Sequence, residues 1–325
     1  MSKIALIFGI SGQDGAYLSE LLIKKGYKVH GTSRDAEINE FKSLTELGIK
    51  DLINFHSASL TDFRSTLQVI EKVSPNEIYN LAGQSSVGLS FQQPVETLES
   101  IATATINILE SMRFLGGKFL FYNACSSESF GETGNLPANE ITPFNPKSPY
   151  GVAKASAFWQ VANYRESYGL FACSGIMFNH ESNLRPKRFV TKKICNAAAR
   201  IALGSEEVLE LGDLSIQRDW GWAPEYVQAM WQILQQNEAD DFVIATGTLS
   251  GLSDYIKNVF SSLGLDWEKY VISNPKLFRP SEIKSGFGSP LKANNKLGWK
   301  AKKLMPEVAE KMALYEFDKL KDLNK

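Results

Sequence analysis

Residues 3–15 read Lys-Ile-Ala-Leu-Ile-Phe-Gly-Ile-Ser-Gly-Gln-Asp-Gly, and this stretch decides the fold class. Its apolar first half is typical of a short buried strand, and the residues that follow it have helical character. The glycines between them are spaced three apart, rather than in the more familiar GxGxxG pattern. Glycines let the backbone approach a pyrophosphate, and the N-terminus of the next helix offers unpaired N–H groups. We therefore predict a dinucleotide-binding turn made of Gly9, Ser11, Gly12, Gln13, Asp14 and Gly15.

Strands and helices are predicted to alternate after this turn. Runs of apolar and β-branched residues indicate strands at 27–32, 52–55, 77–81, 118–122 and 171–178. Helical stretches separate them, including 65–72, 96–115 and 150–168. The alternation is typical of right-handed βαβ crossovers and predicts an α/β fold with a Rossmann-type doubly wound parallel sheet. Ligands bind such sheets at the carboxyl ends of the strands.

The alternating pattern loosens after about residue 180, where prolines and loop-like stretches such as 286–290 become frequent. We expect residues 1–180 to form the dinucleotide-binding core with the catalytic residues. Residues 181–325 are expected to form mainly a smaller C-terminal substrate-binding lobe. This lobe is interleaved with returning core elements and is not an independent domain.

Four side chains between residues 126 and 154 have the chemistry of an oxidising site. Tyr150 and Lys154 share one helix face because they are four apart, and an ammonium beside a phenol is expected to lower the phenol's pKa toward neutrality. The phenolate is then a base for a sugar hydroxyl, and Ser126 supplies a hydroxyl that orients the same oxygen. Such Tyr/Lys pairs also occur by chance on many helices. Glu128 adds a second base, which a plain alcohol oxidation does not need, so the set favours an elimination beside a new ketone.

Composition excludes several classes of partner. A net charge of −1 argues against nucleic acid or an anionic membrane. No apolar run approaches the ~18 residues that a membrane helix needs, and a first strand at residue 3 leaves no room for a signal peptide. The three cysteines and three histidines are too scattered for a disulfide framework or a metal site. We therefore expect a cytoplasmic protein without a metal.

Longer motifs extend this interpretation. The glycine turn, 80–87 (Asn-Leu-Ala-Gly-Gln-Ser-Ser-Val), 126–128 (Ser-Ser-Glu) and the Tyr150/Lys154 pair resemble the extended short-chain dehydrogenase/reductase superfamily. Further motifs resemble its GDP-mannose 4,6-dehydratase family, from residue 3 to about residue 315. They include 178–182 (Phe-Asn-His-Glu-Ser), 189–194 (Phe-Val-Thr-Lys-Lys-Ile), 218–221 (Arg-Asp-Trp-Gly) and 279–282 (Arg-Pro-Ser-Glu). The pairing of Asn-His-Glu-Ser with Phe-Val-Thr-x-Lys-Ile is the most specific part.

The resemblance implies a lyase that converts GDP-mannose to GDP-4-keto-6-deoxymannose with tightly held NADP and no net redox change. The steps are oxidation at C-4, loss of water across C-5 and C-6, and return of hydride to C-6. Tyr150 would deprotonate the 4-hydroxyl, Glu128 would take the C-5 hydrogen, and Ser127 would relay a proton to the departing hydroxyl. Ser126 stands where the family usually has threonine, and Lys154 would also hold the nicotinamide ribose.

The resemblance also assigns binding residues. Besides the glycine turn and the Tyr150/Lys154 pair, the cofactor would contact Thr32, Arg34, Leu60, Leu81 and Ala82. The substrate would contact Gln84, Ser85, Asn179, Lys193, Arg218, Arg279 and Glu282. The arginines suit phosphate or ribose oxygens because the guanidinium is a planar donor fork. We interpret the neighbouring Arg185 and Lys187 as a solvated charged face.

The stretch after the second strand departs from the family, which usually has a pair of arginines there. Thr32, Ser33 and Arg34 favour NADP, whereas Asp35, about twenty residues after Gly15, keeps NAD possible. The family resemblance implies a homodimer through helices 96–115 and 150–168, or a homotetramer. A second apolar face that includes Ala157 is expected at this interface, unless the substrate lobe covers it.

Three other functions remain open. The nearest alternatives are a nucleotide-sugar 4-epimerase and a 4-ketosugar reductase, neither of which needs a base at C-5. A non-enzymatic alternative is an NADP-binding regulator, which can dispense with the Tyr150/Lys154 pair. Glu128 and this pair therefore favour the dehydratase.

Overall fold

The structure is a computed structural model that describes residues 2–323. Seven strands form one parallel sheet. In chain order they are β1 (Ile4–Phe8), β2 (Lys28–Ser33), β3 (Asn54–Ser57), β4 (Glu77–Asn80), β5 (Leu120–Ser126), β6 (Phe171–Met177) and β11 (Phe242–Ile244). Their spatial order is β11-β6-β5-β4-β1-β2-β3. The chain therefore reverses direction across the sheet between β1 and β4, where open α/β sheets bind ligands.

Short strands belong to three smaller sheets. β7 (Asn179–Glu181) pairs with β10 (Trp220–Trp222), and β8 (Leu209–Leu211) pairs with β13 (Val271–Ser273). β9 (Gln217–Arg218) lies between β12 (Ser250–Gly251) and β14 (Ser285–Gly286). These pairings join residues beyond 180 to one another above the carboxyl ends of the main sheet.

The helices surround both sets of strands. They are α1 (Gln13–Lys24), α2 (Lys42–Glu46), α3 (Phe63–Val73), α4 (Val87–Ser90), α5 (Pro94–Leu98), α6 (Ala104–Leu115), α7 (Pro149–Tyr168), α8 (Val190–Ala202), α9 (Ala223–Ile233), α10 (Leu252–Ser262), α11 (Leu291–Leu297) and α12 (Met305–Leu323). A π-helical turn, Glu99–Thr103, joins α5 to α6, and a 3-10 turn, Ser127–Ser129, follows β5. Among the described residues, no helix has the length and apolarity needed to span a membrane.

The alternating side chains of β1 show how a layer of helices packs on each face of the main sheet. Ala5 and Ile7 point into the apolar cluster with α1 and α9, whereas Leu6 and Phe8 point into the cluster with α3 and α6. All four are fully buried, as expected for a parallel strand covered on both faces. The doubly wound α/β class is confirmed, and α9 and β11 bring residues beyond 180 back to the main sheet.

Local sequence places the Tyr150/Lys154 helix. The Ser148 hydroxyl accepts a hydrogen bond from Gly151 N at 3.1 Å, and Pro149 occupies the first turn. The helix ends at Gly169, which has a φ of +67°. Tyr150 therefore lies in the first turn of α7 beside the end of β5.

Predicted strands agree with the structure to within a few residues, but one predicted helix differs. The stretch 96–115 is divided by the π-helical turn because the loop after β4 packs into it. Gln84 N donates to Ser100 Oγ at 3.1 Å, and a Cβ on Gly83 would lie 2.7 Å from the Ile101 side chain. π-helical turns of this kind are frequent near functional sites.

The prediction that Ala157 lies at a free apolar face is wrong. Ala157 and Ala153 are completely buried within the chain and pack against Ile101. Two exposed apolar side chains of α7, Val152 (49% exposed) and Trp159 (62%), lie seven residues apart on one helix face. A charge at Ala157 would therefore test folding rather than association.

Candidate active site

A cavity of about 470 Å³ lies at the carboxyl ends of the main-sheet strands, between them and the smaller sheets. Its walls bring together most of the predicted site residues, from the glycine turn, β5, α7, β7, β9 and the 277–282 loop. Those that line it are Asp14, Leu81, Ser85, Ser126, Ser127, Glu128, Tyr150, Lys154, Asn179, Lys193, Arg218, Arg279 and Glu282. Residues up to 268 positions apart in the sequence, Asp14 and Glu282, thus meet at the switch point of the sheet.

The glycine turn has the shape that a dinucleotide requires. Gly9 has a φ of +84°, and a Cβ there would lie 2.7 Å from the backbone of Leu81 and Ala82. A Cβ on Gly15 would lie 2.5 Å from the Gly9 carbonyl oxygen. Gly12 precedes the first residue of α1, and no side chain caps this helix N-terminus. The turn therefore leaves backbone N–H groups available to a pyrophosphate, and these residues fit the predicted cofactor.

The adenosine end of the predicted cofactor site lies after β2 and β3. Thr32 is buried at the end of β2, and Arg34 is exposed just beyond it. The Asp35 carboxylate accepts hydrogen bonds from Glu37 N at 3.0 Å and Ile38 N at 3.3 Å. Asp35 is thus engaged in its own turn. The Leu60 carbonyl accepts from the Asn107 amide at 2.8 Å, which holds the loop after β3 to α6.

The proposed catalytic side chains meet at the junction of β5 and α7. Ser126 ends β5, and its hydroxyl accepts from Glu128 N at 3.3 Å, which turns Glu128 toward the cavity. A Cβ on Gly151 would lie 2.7 Å from the Glu128 carbonyl oxygen, so glycine lets α7 approach this turn. Lys154 is buried, and its ammonium donates to the Ala124 carbonyl at 2.7 Å.

The predicted effect of Lys154 on Tyr150 is wrong. Burial raises the pKa of Tyr150, the charge of Glu128 adds to this rise, and contact with the Ser126 hydroxyl opposes it. The Lys154 ammonium lies 5.8 Å from the centre of the Tyr150 ring, and burial lowers its own pKa to about 8. Desolvation of the phenol therefore outweighs the lysine.

Glu128 has the environment of a general base. Burial raises the pKa of its carboxyl group, Arg218 and Arg279 lower it, and Glu282 raises it. A carboxylate with a raised pKa accepts a proton more readily. The charged groups that face Glu128 thus come from β9 and from the 277–282 loop.

Arg218, Arg279 and Glu282 form one cluster rather than three separate contacts. Oε1 of Glu282 accepts from Arg218 at 3.0 Å and from Arg279 at 3.1 Å. The side chain of Arg218 is 7% exposed. A single carboxylate therefore holds two guanidinium groups in the wall of the cavity, which leaves the cluster with a net positive charge.

Gln84 does not line the cavity, contrary to the prediction of a substrate contact. Its amide nitrogen donates to the Ser86 carbonyl at 2.9 Å and to the Thr97 hydroxyl at 3.1 Å, and its amide oxygen accepts from Ser86 N. The side chain is thus used within its own loop. Gln84 positions the neighbouring Ser85, which does line the cavity.

Two residues, His180 and Arg185, have roles in the site that were not predicted from the sequence. His180 lines the cavity and forms an ion pair with Asp14, and its ring stacks on Tyr226 with centroids 4.7 Å apart. Arg185 is not on a solvated face as predicted, because its side chain is 17% exposed and pairs with buried Glu181 at 3.0 Å. The Asn-His-Glu-Ser motif was a usable signal for both residues.

The sequence of this chain is similar to those of known proteins. The model of the GDP-mannose 4,6 dehydratase family matches residues 6–312. GDP-mannose 4,6 dehydratase 2 of Caenorhabditis elegans is 43% identical over 95% of this chain and 88% of that protein. The protein named GDP-mannose 4,6 dehydratase 2 in Arabidopsis thaliana is 45% identical over 92% of this chain and 82% of that protein.

Solved structures agree on the fold. UDP-glucose 4-epimerase of Thermotoga maritima has a TM-score of 0.86 at 22% identity and covers 98% of this chain and 99% of that one. dTDP-glucose 4,6-dehydratase of Bacillus anthracis, solved in complex with NAD, has a TM-score of 0.85 at 16% identity and covers 99% of this chain and 98% of that one. At these identities the likeness establishes the architecture alone.

Proposed function

The chain belongs to the GDP-mannose 4,6-dehydratase family, and on this premise we propose that it converts GDP-mannose to GDP-4-keto-6-deoxymannose with no net consumption of cofactor. One observation carries the proposal. A half-buried carboxylic base, Glu128, lies in the same cavity as the Ser126 hydroxyl and the Tyr150/Lys154 pair. Two bases of different chemistry match two proton abstractions at neighbouring carbons.

The first abstraction is assigned to Tyr150. Its hydroxyl faces Ser126, which orients the sugar 4-hydroxyl between them. Because burial raises the pKa of Tyr150, the phenolate forms only with positive charge nearby. Lys154, whose ammonium lies 5.8 Å from the centre of the Tyr150 ring, would supply only part of this charge, and a bound oxidised nicotinamide would add to it.

The second abstraction is assigned to Glu128. A ketone at C-4 acidifies the C-5 hydrogen, and the Glu128 carboxylate takes this proton. The C-6 hydroxyl leaves as water, with Ser127 in the cavity wall as the proton relay. Ser127 passes the proton that Glu128 took from C-5 to the departing hydroxyl, and Glu128, reprotonated from solvent, gives a proton to C-5 when hydride is added to C-6.

A bound nicotinamide cofactor would supply the hydride chemistry, accepting hydride from C-4 and returning it to C-6. The turn from Gly9 to Gly15 would hold its pyrophosphate, and Leu81, Ala82 and Lys154 would contact its nicotinamide half. We assign NADP rather than NAD. Arg34 is free to meet a 2′-phosphate, whereas the Asp35 carboxylate is occupied by Glu37 N and Ile38 N.

The positively charged wall is assigned to the diphosphate of the substrate. Arg218 and Arg279 are held ready by Glu282, and planar guanidinium forks suit phosphate oxygens. Asn179 would contact the sugar. Lys193 lines the same wall, and its ammonium donates to the Glu210 carbonyl at 2.7 Å, so it would contribute charge at the rim.

The sugar-modifying alternatives leave Glu128 without a role, since neither a 4-epimerase nor a 4-ketosugar reductase removes a C-5 proton. A binding-only regulator would leave the whole catalytic cluster unused.

We also propose a cytoplasmic homodimer. The three cysteines are unpaired and buried, and the exposed apolar face of α7 at Val152 and Trp159 is available to a second copy.

The test is incubation of the purified protein with GDP-mannose and a catalytic amount of NADP, followed by mass spectrometry. The expected product has lost one water and, in D₂O, carries deuterium at C-5. Stoichiometric accumulation of NADPH, or recovery of unchanged or merely epimerised sugar, contradicts the proposal.

A further inference from the structure

Glu132 lies outside the cavity, and no step of the proposed reaction uses it. Its carboxylate nevertheless accepts three hydrogen bonds from a distant segment. Lys284 N donates at 2.6 Å, and both Ser285 N and the Ser285 hydroxyl donate at 2.8 Å. These partners are 152 and 153 residues away in the sequence.

Backbone hydrogen bonds surround the Glu132 carboxylate. Thr133 N donates to the Ser285 carbonyl at 3.2 Å, and Ala138 N donates to the Phe287 carbonyl at 3.0 Å. Gly131, which has a φ of +71°, turns the chain into this junction, and a Cβ there would lie 2.1 Å from the Asn145 carbonyl oxygen. The segments 133–138 and 285–287 thus lie side by side, and the Glu132 carboxylate lies at the end of their contact.

Each side of the junction carries part of the active site. Four residues before Glu132 lies Glu128, the proposed C-5 base. A few residues before Ser285 lie Arg279 and Glu282, and Ser285 itself begins β14, which pairs with the strand that carries Arg218. The same junction therefore joins the base to the cluster assigned to the diphosphate.

We propose that Glu132 is a positioning residue that fastens the 279–286 segment to the Glu128 turn and so places Arg218 and Arg279 for the substrate diphosphate. This inference rests on the proposed function, because that function assigns the two arginines to the diphosphate. Removal of the carboxylate leaves the Lys284 and Ser285 N–H groups without this acceptor, whereas the Ser285 hydroxyl keeps the Gly134 carbonyl at 3.0 Å. The segment then loses its tie to Glu132, while the glycine turn that would hold the cofactor is untouched.

The matched control is Glu140, which lies on the same loop. Its carboxylate also accepts from a backbone N–H, that of Val243 at 2.8 Å, but this partner is in β11 and not in the arginine segment. Glu132→Ala, Glu132→Gln and Glu140→Ala are compared with the unmodified protein. GDP binding is measured by calorimetry, NADPH binding by fluorescence, and stability as Tm.

Glu132→Ala is expected to weaken GDP binding about tenfold with NADPH affinity unchanged, as for loss of charge-assisted hydrogen bonds that order a binding segment. Glu132→Gln should fall between Ala and the unmodified protein, because its remaining carbonyl oxygen still accepts. Glu140→Ala should lower Tm without a change in GDP affinity. KM for GDP-mannose should follow GDP affinity more closely than kcat does.

GDP affinity of Glu132→Ala within twofold of the unmodified value overturns the inference. So does an equal loss for Glu132→Ala and Glu140→Ala, or a joint loss of GDP and NADPH binding. An unmodified protein that binds GDP but does not dehydrate GDP-mannose overturns the proposed function and leaves the Glu132 comparison valid. An unmodified protein that binds no GDP overturns both.

Discussion

The Asp14 carboxylate lies 2.9 Å from Nε2 of His180, while Nδ1 of the same imidazole lies 2.7 Å from the Phe178 carbonyl oxygen. A carbonyl oxygen only accepts, so Nδ1 carries a hydrogen, and an ionised carboxylate accepts a second hydrogen from Nε2. This arrangement favours the imidazolium form of His180. Burial opposes this state, but the Asp14 carboxylate raises the pKa of His180, and His180 in turn lowers that of Asp14. The glycine turn is thereby tied to the segment that bears Asn179.

Substitution of His180 should weaken cofactor binding. His180→Gln leaves the largely buried Asp14 carboxylate without its counter-charge beside the expected pyrophosphate, so NADPH affinity should fall about tenfold. Fluorescence titration of NADPH measures it. Tyr226→Phe is the control, since it keeps the ring that stacks on His180 and removes only a hydroxyl with no partner. Equal affinities for His180→Gln and the unmodified protein would show that the pair is not needed for the cofactor.

Glu128 and Tyr150 should be separable by isotope exchange. Glu128→Gln removes the C-5 base and should lower turnover about 10²–10⁴-fold while C-4 oxidation remains possible. Transient NADPH absorbance without C-5 deuteration is the expected signature. Tyr150→Phe should abolish both signals. Near-normal turnover of Glu128→Gln would remove the elimination role.

Cofactor preference should depend on Arg34. The unmodified protein should bind NADP more tightly than NAD, and Arg34→Ala should reduce this preference about tenfold by loss of a charge-assisted contact to the 2′-phosphate. Affinities of both cofactors are measured by calorimetry. The control is Arg64→Ala, a charge change at a second exposed arginine outside the proposed site. A preference of the unmodified protein for NAD would instead direct attention to Asp35.

Acid should destabilise the protein through a buried histidine pair. His30 Nδ1 and His56 Nε2 lie 2.8 Å apart, and Nε2 of His30 is buried with no hydrogen-bond partner among residues 2–323. Burial, followed by the nearby His56, lowers the pKa of His30 to about 4 from 6.5, and burial also lowers that of His56. Below pH 6.5 the unfolded chain therefore binds protons that the folded chain does not bind. The contribution of this pair to the free energy of unfolding is fully present above pH 6.5 and falls as the pH drops toward 4.

Urea unfolding at several pH values between 7.5 and 4.5 checks this prediction. His30→Leu should flatten the dependence of the unfolding free energy on pH in this window. His180→Gln serves as a contrast, because the raised pKa of His180 gives stability that is lost as the pH rises instead. An unchanged slope in His30→Leu would exclude the pair as the source of acid sensitivity.

Association should depend on the exposed face of α7. Trp159→Glu places a charge where a 62% exposed indole lies and should shift the proposed dimer toward monomer with little loss of stability. Ala157→Glu should lower stability directly, because Ala157 is completely buried in its own chain. Light scattering and thermal unfolding distinguish the two effects. A monomeric unmodified protein at micromolar concentration would contradict the dimer.

Much of the fold was predictable because it depends on local pattern. The apolar run 4–8 and the glycines after it specify a strand and a tight turn wherever they occur in the chain, and βαβ alternation permits few topologies. The Ser148-Pro149 start of α7 is likewise a local signal. These local features are enough to predict that Glu128, Tyr150 and Lys154 lie at one end of a parallel sheet.

The sequence by itself thus determined the parallel α/β class, the cofactor turn and the identities of the proposed bases. Only the tertiary structure decided which polar groups interact. Asp14 pairs with His180 at a separation of 166 residues, and Glu282 pairs with two arginines. The Gln84 side chain forms its hydrogen bonds near its own loop and not with the cavity. The tertiary structure also decided that burial outweighs Lys154 at Tyr150. The physical reason is that periodicity and turn chemistry act over a few residues, whereas ion pairing and desolvation depend on which groups the completed fold brings together and removes from water.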